Sequence, residues 1–200
     1  MRVFMVGALL SSLGVFAQSP DRAWQDSLQA YWDHINMEYR DADHSPLLPE
    51  ARTHFVELER FAPDTQFRIK ASFKAKAGKA FEMTTTTDRK PMYEAVGVLR
   101  FKILGRKEKL TVYRNIDLSK RPEYVNHLFI PFTDLTNGSL TYGGGRYIDL
   151  QGPLGKEVEL DFNRAYNPYC AYGGRYSCPI PPLENHLEVH VEAGVKAYDH

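Results

Sequence analysis

The sequence predicts a mostly β domain: an antiparallel β-sandwich or barrel-like sheet with an N-terminal amphipathic helix packed on it. Three observations carry this. Apolar residues recur at helical spacing in one early segment, Trp24, Leu28, Tyr31, Trp32, Ile35 and Tyr39. From residue 66 onward the apolar residues alternate with polar ones at period two. Glycine, proline and Asn-Gly turn signals then divide the chain into short runs. A chain of 200 residues, 43% hydrophobic and 25% charged, is long enough to bury one core of its own. It contains no internal repeat, low-complexity tract or dividing linker. The expected organisation is a leader over 1–17 and one domain over 18–200, with a helix over 20–41 and a β-rich part over 66–198.

The leader has a basic start at Arg2, an apolar run from Val3 to Phe16, and Val15 and Ala17 ahead of a cleavage point before Gln18. The run is short of the roughly 20 apolar residues that span a bilayer. It therefore reads as a secretory signal peptide, with no stable membrane insertion after cleavage and a periplasmic or secreted destination. No cysteine stands at the cleavage point to carry a lipid anchor.

The helix starts with Ser19 as an N-cap and Pro20 at the first helical position, where a missing N–H costs nothing. Its aromatic stripe serves packing on a sheet or contact with a ligand. A second short helix is expected from Pro49 to Leu58. Phe67, Ile69, Ala71 and Phe73 then alternate with Arg68, Lys70, Ser72 and Lys74, a half-buried strand. Gly78 turns into a second strand, Phe81 to Thr87. Val96–Leu104 and Lys107–Ile116 form a hairpin folded at Gly105-Arg106. His127–Phe132 and Tyr147–Leu150 are further strands, and the run Leu187, Val189, Val191 alternates with His186, Glu188 and His190 as a last one.

Lys and Arg number 25, and so do Asp and Glu, so a general nucleic-acid binder is excluded. The charge is unevenly placed. Residues 66–121 hold 15 basic against 5 acidic residues, while both flanks are acidic. The hairpin gathers these lysines on one sheet face. That face is either solvated in the usual way of antiparallel sheets or a contact for an anionic envelope polymer, whose binding would weaken with salt.

The densest chemistry lies between His127 and Asn185. Thr141-Tyr142-Gly143-Gly144-Gly145-Arg146-Tyr147 lets the backbone turn tightly, but no Gly-Lys-Ser/Thr follows and the chain enters a strand, so this is no phosphate loop. Arg146, Asp149, Asp161, Asn163, Asn167 and Glu184, interleaved with Tyr142, Tyr147, Tyr166, Tyr169 and Tyr172, have the composition of a pocket for a small polar ligand. Alternation places Asp161 and Asn163 together, and the expected ligand-binding set is Tyr142, Arg146, Asp161, Asn163 and Asn167. Equally, Asp and Asn satisfy backbone groups in such loops while Arg146 pairs with a carboxylate.

The runs PFTDLTNGSLTYGGGRYIDL and LDFNRAYNPYCAYGGRYSCPIPPLEN, with the terminal AGVKAY, resemble the bacterial and archaeal domain of unknown function 1684 (DUF1684). The likeness is most specific over 129–198. It implies a mostly β domain with its signature near the C-terminus and brings no assigned activity. Val195 stands where the family resemblance leads one to expect glutamate.

Cys170 and Cys178 invite a disulfide in an exported chain, although the resemblance extends to proteins of the cytosol, where the pair would be packed thiols. A Cys170 nucleophile activated by histidine is a further option. His186 lies nearby, but no Cys-x-x-Cys spacing supports zinc, so neither metal nor cofactor is expected. Asp149 with Asp161 or Glu184 would suit glycoside hydrolysis, whereas Ser139 and Ser177 sit in no nucleophile elbow. Three functions stay open: a binding module for a small polar or carbohydrate-like ligand, a carboxylate-dependent hydrolase, and a structural or interaction domain.

Overall fold

The computed structural model describes residues 20–198. The leader, its cleavage point and the Ser19 cap lie outside them. Two helices come first, α1 (Pro20–Arg40) and α2 (Pro49–His54), followed by β1 (Arg68–Ala75), β2 (Phe81–Glu82), β3 (Met92–Ile103) and β4 (Arg106–Asn115). Next come β5 (His127–Asp134), β6 (Arg146–Gln151), β7 (Glu157–Asp161) and β8 (His186–Leu187). The sheet runs β6-β5-β4-β3-β1-β7 with antiparallel neighbours; β2 adds to β3, and β8 lies parallel to β5.

The sheet curls into a half-barrel, and one isolated bridge spans its open side. Past β7 the chain makes a 3-10 turn at Phe162–Arg164, and Tyr166 then exchanges both backbone hydrogen bonds with Tyr147 of β6, at 2.9 and 3.0 Å. The closure gives the curled sheet an inside and an outside. Alternation assigns the side chains. Leu128, Ile130 and Phe132 of β5 and Ile148 of β6 face inward with Leu99, Leu110, Val112 and Leu160, while Phe129 and Tyr147 face outward with Tyr93 and Tyr113. Most of the inward set is almost wholly buried, worth about 1.5–3 kcal/mol per large side chain.

The inside is filled by the C-terminal segment, whose Leu187, Val189, Val191 and Ala193 are buried against the sheet. This corrects the expected strand from Leu187: only His186–Leu187 pairs in a ladder. The remaining backbone groups must find other partners, because a buried peptide group without one is costly. Arg146 and Asp134, both wholly buried and 2.9 Å apart, supply several. Arg146 Nη2 donates to the carbonyl of Val191 at 2.8 Å, and Nη1 donates to those of Ala193 and Val195. Asp134 Oδ1 accepts from the amide of Val191 and from Thr136. Two glycines make the approach possible. Gly145 and Gly194 have φ of 88° and 76°, and a Cβ on either would lie within 2.6 Å of a backbone carbonyl oxygen.

α1 lies on the closing turn. Trp24 Nε1 donates to Asp161 Oδ2 at 2.8 Å, Trp32 Nε1 to the carbonyl of Asn163 at 3.1 Å, and Tyr31 OH to that of Arg164 at 3.1 Å. Buried indole N–H groups need such acceptors, which is why the stripe carries tryptophan here.

Three boundaries shift from expectation. The hairpin turns at Leu104-Gly105, with φ of 47° and 82°, one residue earlier than Gly105-Arg106, because a two-residue turn of this hand needs both φ values positive. The second strand stops at Glu82, since Thr84 to Thr86 pair with the loop at Cys178 to Ile180 instead. α2 ends at His54, and the amide of Leu58 goes to Asn36. On the basic hairpin Arg100 stands opposite Lys109 and Lys102 opposite Lys107.

Candidate functional site

The residues singled out from sequence do not form one pocket. Arg146 is spent on Asp134 and the tail carbonyls. Asp161 accepts from Trp24 and from the backbone and side-chain nitrogens of Asn163, capping the closing turn. Asn163 exchanges two hydrogen bonds with the backbone of Asp64, both 2.9 Å. Asn167 donates to the carbonyl of Lys196 at 2.9 Å. These four are buried and satisfy the backbone around them, the alternative role for such groups. Glu184 accepts from Tyr113 OH. Tyr142 stands apart from them, with its hydroxyl 3.7 Å from Cys170 Sγ.

The disulfide envisaged between Cys170 and Cys178 is absent; both are free thiols. The short loop brings them together: the amide of Cys170 donates to Cys178 Sγ at 3.2 Å, and the amide of Cys178 donates to Thr86 Oγ1 at 3.1 Å. The pair ionises as a unit. The Cys178 thiol, donating to its neighbour, pulls ionisation of Cys170 down to about 6, and the adjacent sulfur pushes Cys178 up.

A different site is built on the outer face of the sheet, a cleft of about 430 Å³ between α1, the strands and the loop that follows the closing turn. The helix contributes Tyr31, Ile35, Glu38 and Tyr39, spaced to share one side of α1. So the aromatic stripe divides. Trp24, Leu28 and Trp32 pack inward, and the adjoining residues line the cleft. From the strands come Tyr93, His127, Phe129, Tyr147 and Asp149, the outward positions of β3, β5 and β6. The chain after the closing turn completes the cleft with Tyr166, then Tyr169, Tyr176 and Cys178 between Pro168 and Pro179.

The polar centre of the cleft is Asp149. His127 Nε2 lies 2.9 Å from its Oδ1, and Tyr166 OH donates to its Oδ2 at 2.6 Å. The hydrogen bond to Asp149 raises the His127 pKa against the opposing pull of burial. Burial, and then Asp149, hold the Tyr166 phenol protonated well beyond its ordinary range. Tyr147 is pinned by a hydrogen bond to the carbonyl of Pro179. The result is an aromatic wall carrying one oriented carboxylate and an imidazole whose protonated form that carboxylate favours. Among the described residues no three His, Cys, Asp or Glu side chains stand close enough to bind a metal, and no helix is long and apolar enough to cross a membrane.

Comparison with known proteins agrees with this architecture. The model of the family described as "Protein of unknown function (DUF1684)" matches residues 53–196. The chain belongs to the DUF1684 family. Among solved structures it is similar to an uncharacterized protein of Haloarcula marismortui determined by solution NMR, at 36% identity and a TM-score of 0.70, over 88% of this chain and 95% of that one. A comparison with curated proteins found no match. The family model spans the strands that build the cleft and the tail that fills the barrel. α1, which completes the cleft, precedes the matched span.

Sequence reading missed His127, Glu38, Tyr93, Phe129 and Tyr176, while Tyr31 and Tyr39 entered it only within the helical stripe for which ligand contact was one alternative. One signal was available for part of the set: His127 and Phe129 alternate with Leu128, Ile130 and Phe132, as Tyr147 and Asp149 do with Ile148 and Leu150, which puts a histidine, a carboxylate and two rings on one sheet face.

The dyad predicts a pH signature. With a folded pKa raised above the ordinary 6.5, protonated His127 stabilises the fold fully below about pH 6.5, and that contribution is lost as pH rises through the raised value. An NMR titration of the His127 imidazole should have its midpoint above that of an unperturbed histidine and return toward it in Asp149→Asn. An unshifted midpoint in the parent protein would refute the dyad.

Proposed function

We propose that this member of the DUF1684 family is an exported binding protein whose ligand site is the outer-face cleft, taking a small molecule with an apolar face and a few polar groups, of carbohydrate-like size. The observation that carries this is the concave aromatic wall surrounding the Asp149–His127–Tyr166 hydrogen-bonded centre. Binding sites of this volume combine apolar walls with a few directional polar groups. A carboxylate set beside rings needs its hydrogen bonds met to the extent that they shield it from water. His127 and Tyr166 meet them and leave the carboxylate, partly exposed, facing the cleft.

The hydrolase alternative draws less support. Of the carboxylates considered for it, only Asp149 lines the cleft, while Asp161 is bound by Trp24 and Glu184 by Tyr113. A purely structural role accounts for Arg146, Asp161 and Asn163 but gives no reason for a preformed aromatic cleft.

A denaturation assay with a panel of mono- and disaccharides and small amines tests the site. A ligand at 100 times its dissociation constant should raise stability by about 2.7 kcal/mol, and the gain should vanish in Asp149→Asn and Tyr169→Ala. Gains that persist in both variants would place binding elsewhere. Export is supported by the apolar run from Val3 to Phe16. Expressed with its leader in a bacterium, the protein should be recovered by osmotic shock or from the medium with Gln18 as its first residue; an intact Met1 in the cytosolic fraction would overturn that part.

A further inference from the structure

The composition and geometry of the cleft narrow the ligand class. Eight of its sixteen lining residues are aromatic and two are carboxylates, Glu38 and Asp149, while neither lysine nor arginine lines it. That bias runs against the chain as a whole, in which acidic and basic residues are equal in number. An anionic ligand would meet two carboxylates, Asp149 beside His127 at 2.9 Å and Glu38 beside His34 at 3.4 Å, and no lysine or arginine. A cation would meet the opposite.

The rings stand as walls at steep angles to one another. Phe129 and Tyr147 have centroids 4.7 Å apart at 71°, Tyr147 and Tyr166 are 5.8 Å apart at 87°, and Tyr169 meets Tyr176 at 5.2 Å and 65°. Two hydroxyls are turned into the walls, Tyr31 OH and Tyr147 OH, taken by the carbonyls of Arg164 and Pro179, and a third, Tyr166 OH, is taken by Asp149. These residues therefore present ring surface, whose faces carry partial negative charge. Two lining rings already hold cations from outside the cleft: the Arg164 guanidinium sits 5.1 Å from the Tyr31 centroid, and that of Arg175 sits 5.0 Å from Tyr176.

Resting on the reading of the cleft as the ligand site, we propose that it is an aromatic cage for a small quaternary or methylated ammonium compound, with the rings enclosing the onium group and Asp149 and Glu38 balancing its charge. A quaternary ammonium suits this lining because it is large, weakly hydrated and lacks hydrogen-bond donors, so it gains from ring faces without needing the hydroxyls. A ligand with a carboxylate beside the onium group would be disfavoured by the same two acids.

The test is calorimetric and NMR titration of the purified protein with choline, with its neutral isostere 3,3-dimethyl-1-butanol, with glycine betaine and with methyl glucoside, at constant ionic strength. The cage predicts that choline binds at least tenfold more tightly than the isostere and more tightly than betaine, with shifts at His127, Tyr166 and Tyr169. Tyr169 is 37% exposed and tolerates change: Tyr169→Leu should weaken choline at least tenfold, while Tyr169→Phe, which keeps the ring, should stay within about threefold. Equal affinity for choline and the isostere would overturn the cage and leave the binding site intact. Methyl glucoside shifting the cleft residues while choline does not would do the same. No shift of cleft residues by any of the four would overturn the cage and remove the support for the cleft as a binding site.

Discussion

The fold depends on the buried contact between Arg146 and Asp134. An ion pair of this kind is not by itself a source of stability, since desolvation offsets much of the attraction. Its value here lies in what else the two groups bind. The C-terminal segment occupies the inside of a curled sheet and cannot join its ladder beyond two residues. Its carbonyls at Val191, Ala193 and Val195 would be orphaned in an apolar interior. One guanidinium takes all three, one carboxylate takes the amide of Val191, and the two charges neutralise each other. A planar fork of donors can do this; the ammonium of a lysine cannot span the same set. Gly145 and Gly194 follow as requirements, because each holds backbone close to a neighbouring carbonyl.

Anchoring the tail on the inside leaves the outside of the same strands for recognition. β5 and β6 carry both programmes in alternation: Arg146, Ile148, Ile130 and Phe132 point to the tail, while Tyr147, Asp149, His127 and Phe129 point to the cleft. The closing bonds between Tyr147 and Tyr166 connect the two. They seal the barrel and set the Tyr166 hydroxyl against Asp149. α1 is latched to the closing turn through Trp24 and Trp32, and this fixes Tyr31, Ile35 and Glu38 as the third wall. The cleft is thus built from elements that the core already holds rigid, which is what a preformed binding site needs.

Much of this architecture was legible in the sequence. Periodicity gave α1, β1 and the β3–β4 hairpin, because each is a local pattern with its own hydrophobic face, while β5 and β6 were read as strands without the alternation that divides their two faces. In the Gly-rich, Asn-rich signature Arg146, Asp161, Asn163 and Asn167 serve the backbone, while Asp149, Tyr147, Tyr166 and Tyr169 line the cleft. Sequence composition cannot separate these roles: Asp161 and Asn163 look the same whether they bind a ligand or cap a turn against Trp24. The cleft was hidden for a different reason. Its lining comes from the helix, three strands and a loop, and only the curl of the sheet brings Glu38 and Asp149 to one space. The same curl explains why Leu187–Val191 reads as a strand. It alternates as a strand does, but its partners are an arginine and an aspartate in place of a neighbouring strand.

Native-state hydrogen exchange of the tail amides reports most directly on whether the buried pair holds the C-terminal segment inside the barrel. In the parent protein the amides of Val191 and Val195, bonded to Asp134 and to the carbonyl of Ala165, should exchange only through global unfolding, as slowly as those of the β3–β4 ladder. Arg146→Met leaves Asp134 buried and unpaired, which should cost about 3–5 kcal/mol, and the tail amides should then exchange by a route of their own ahead of the ladder. Rapid exchange at Val191 in the parent, or tail and ladder losing protection in equal measure in the variant, would contradict this account.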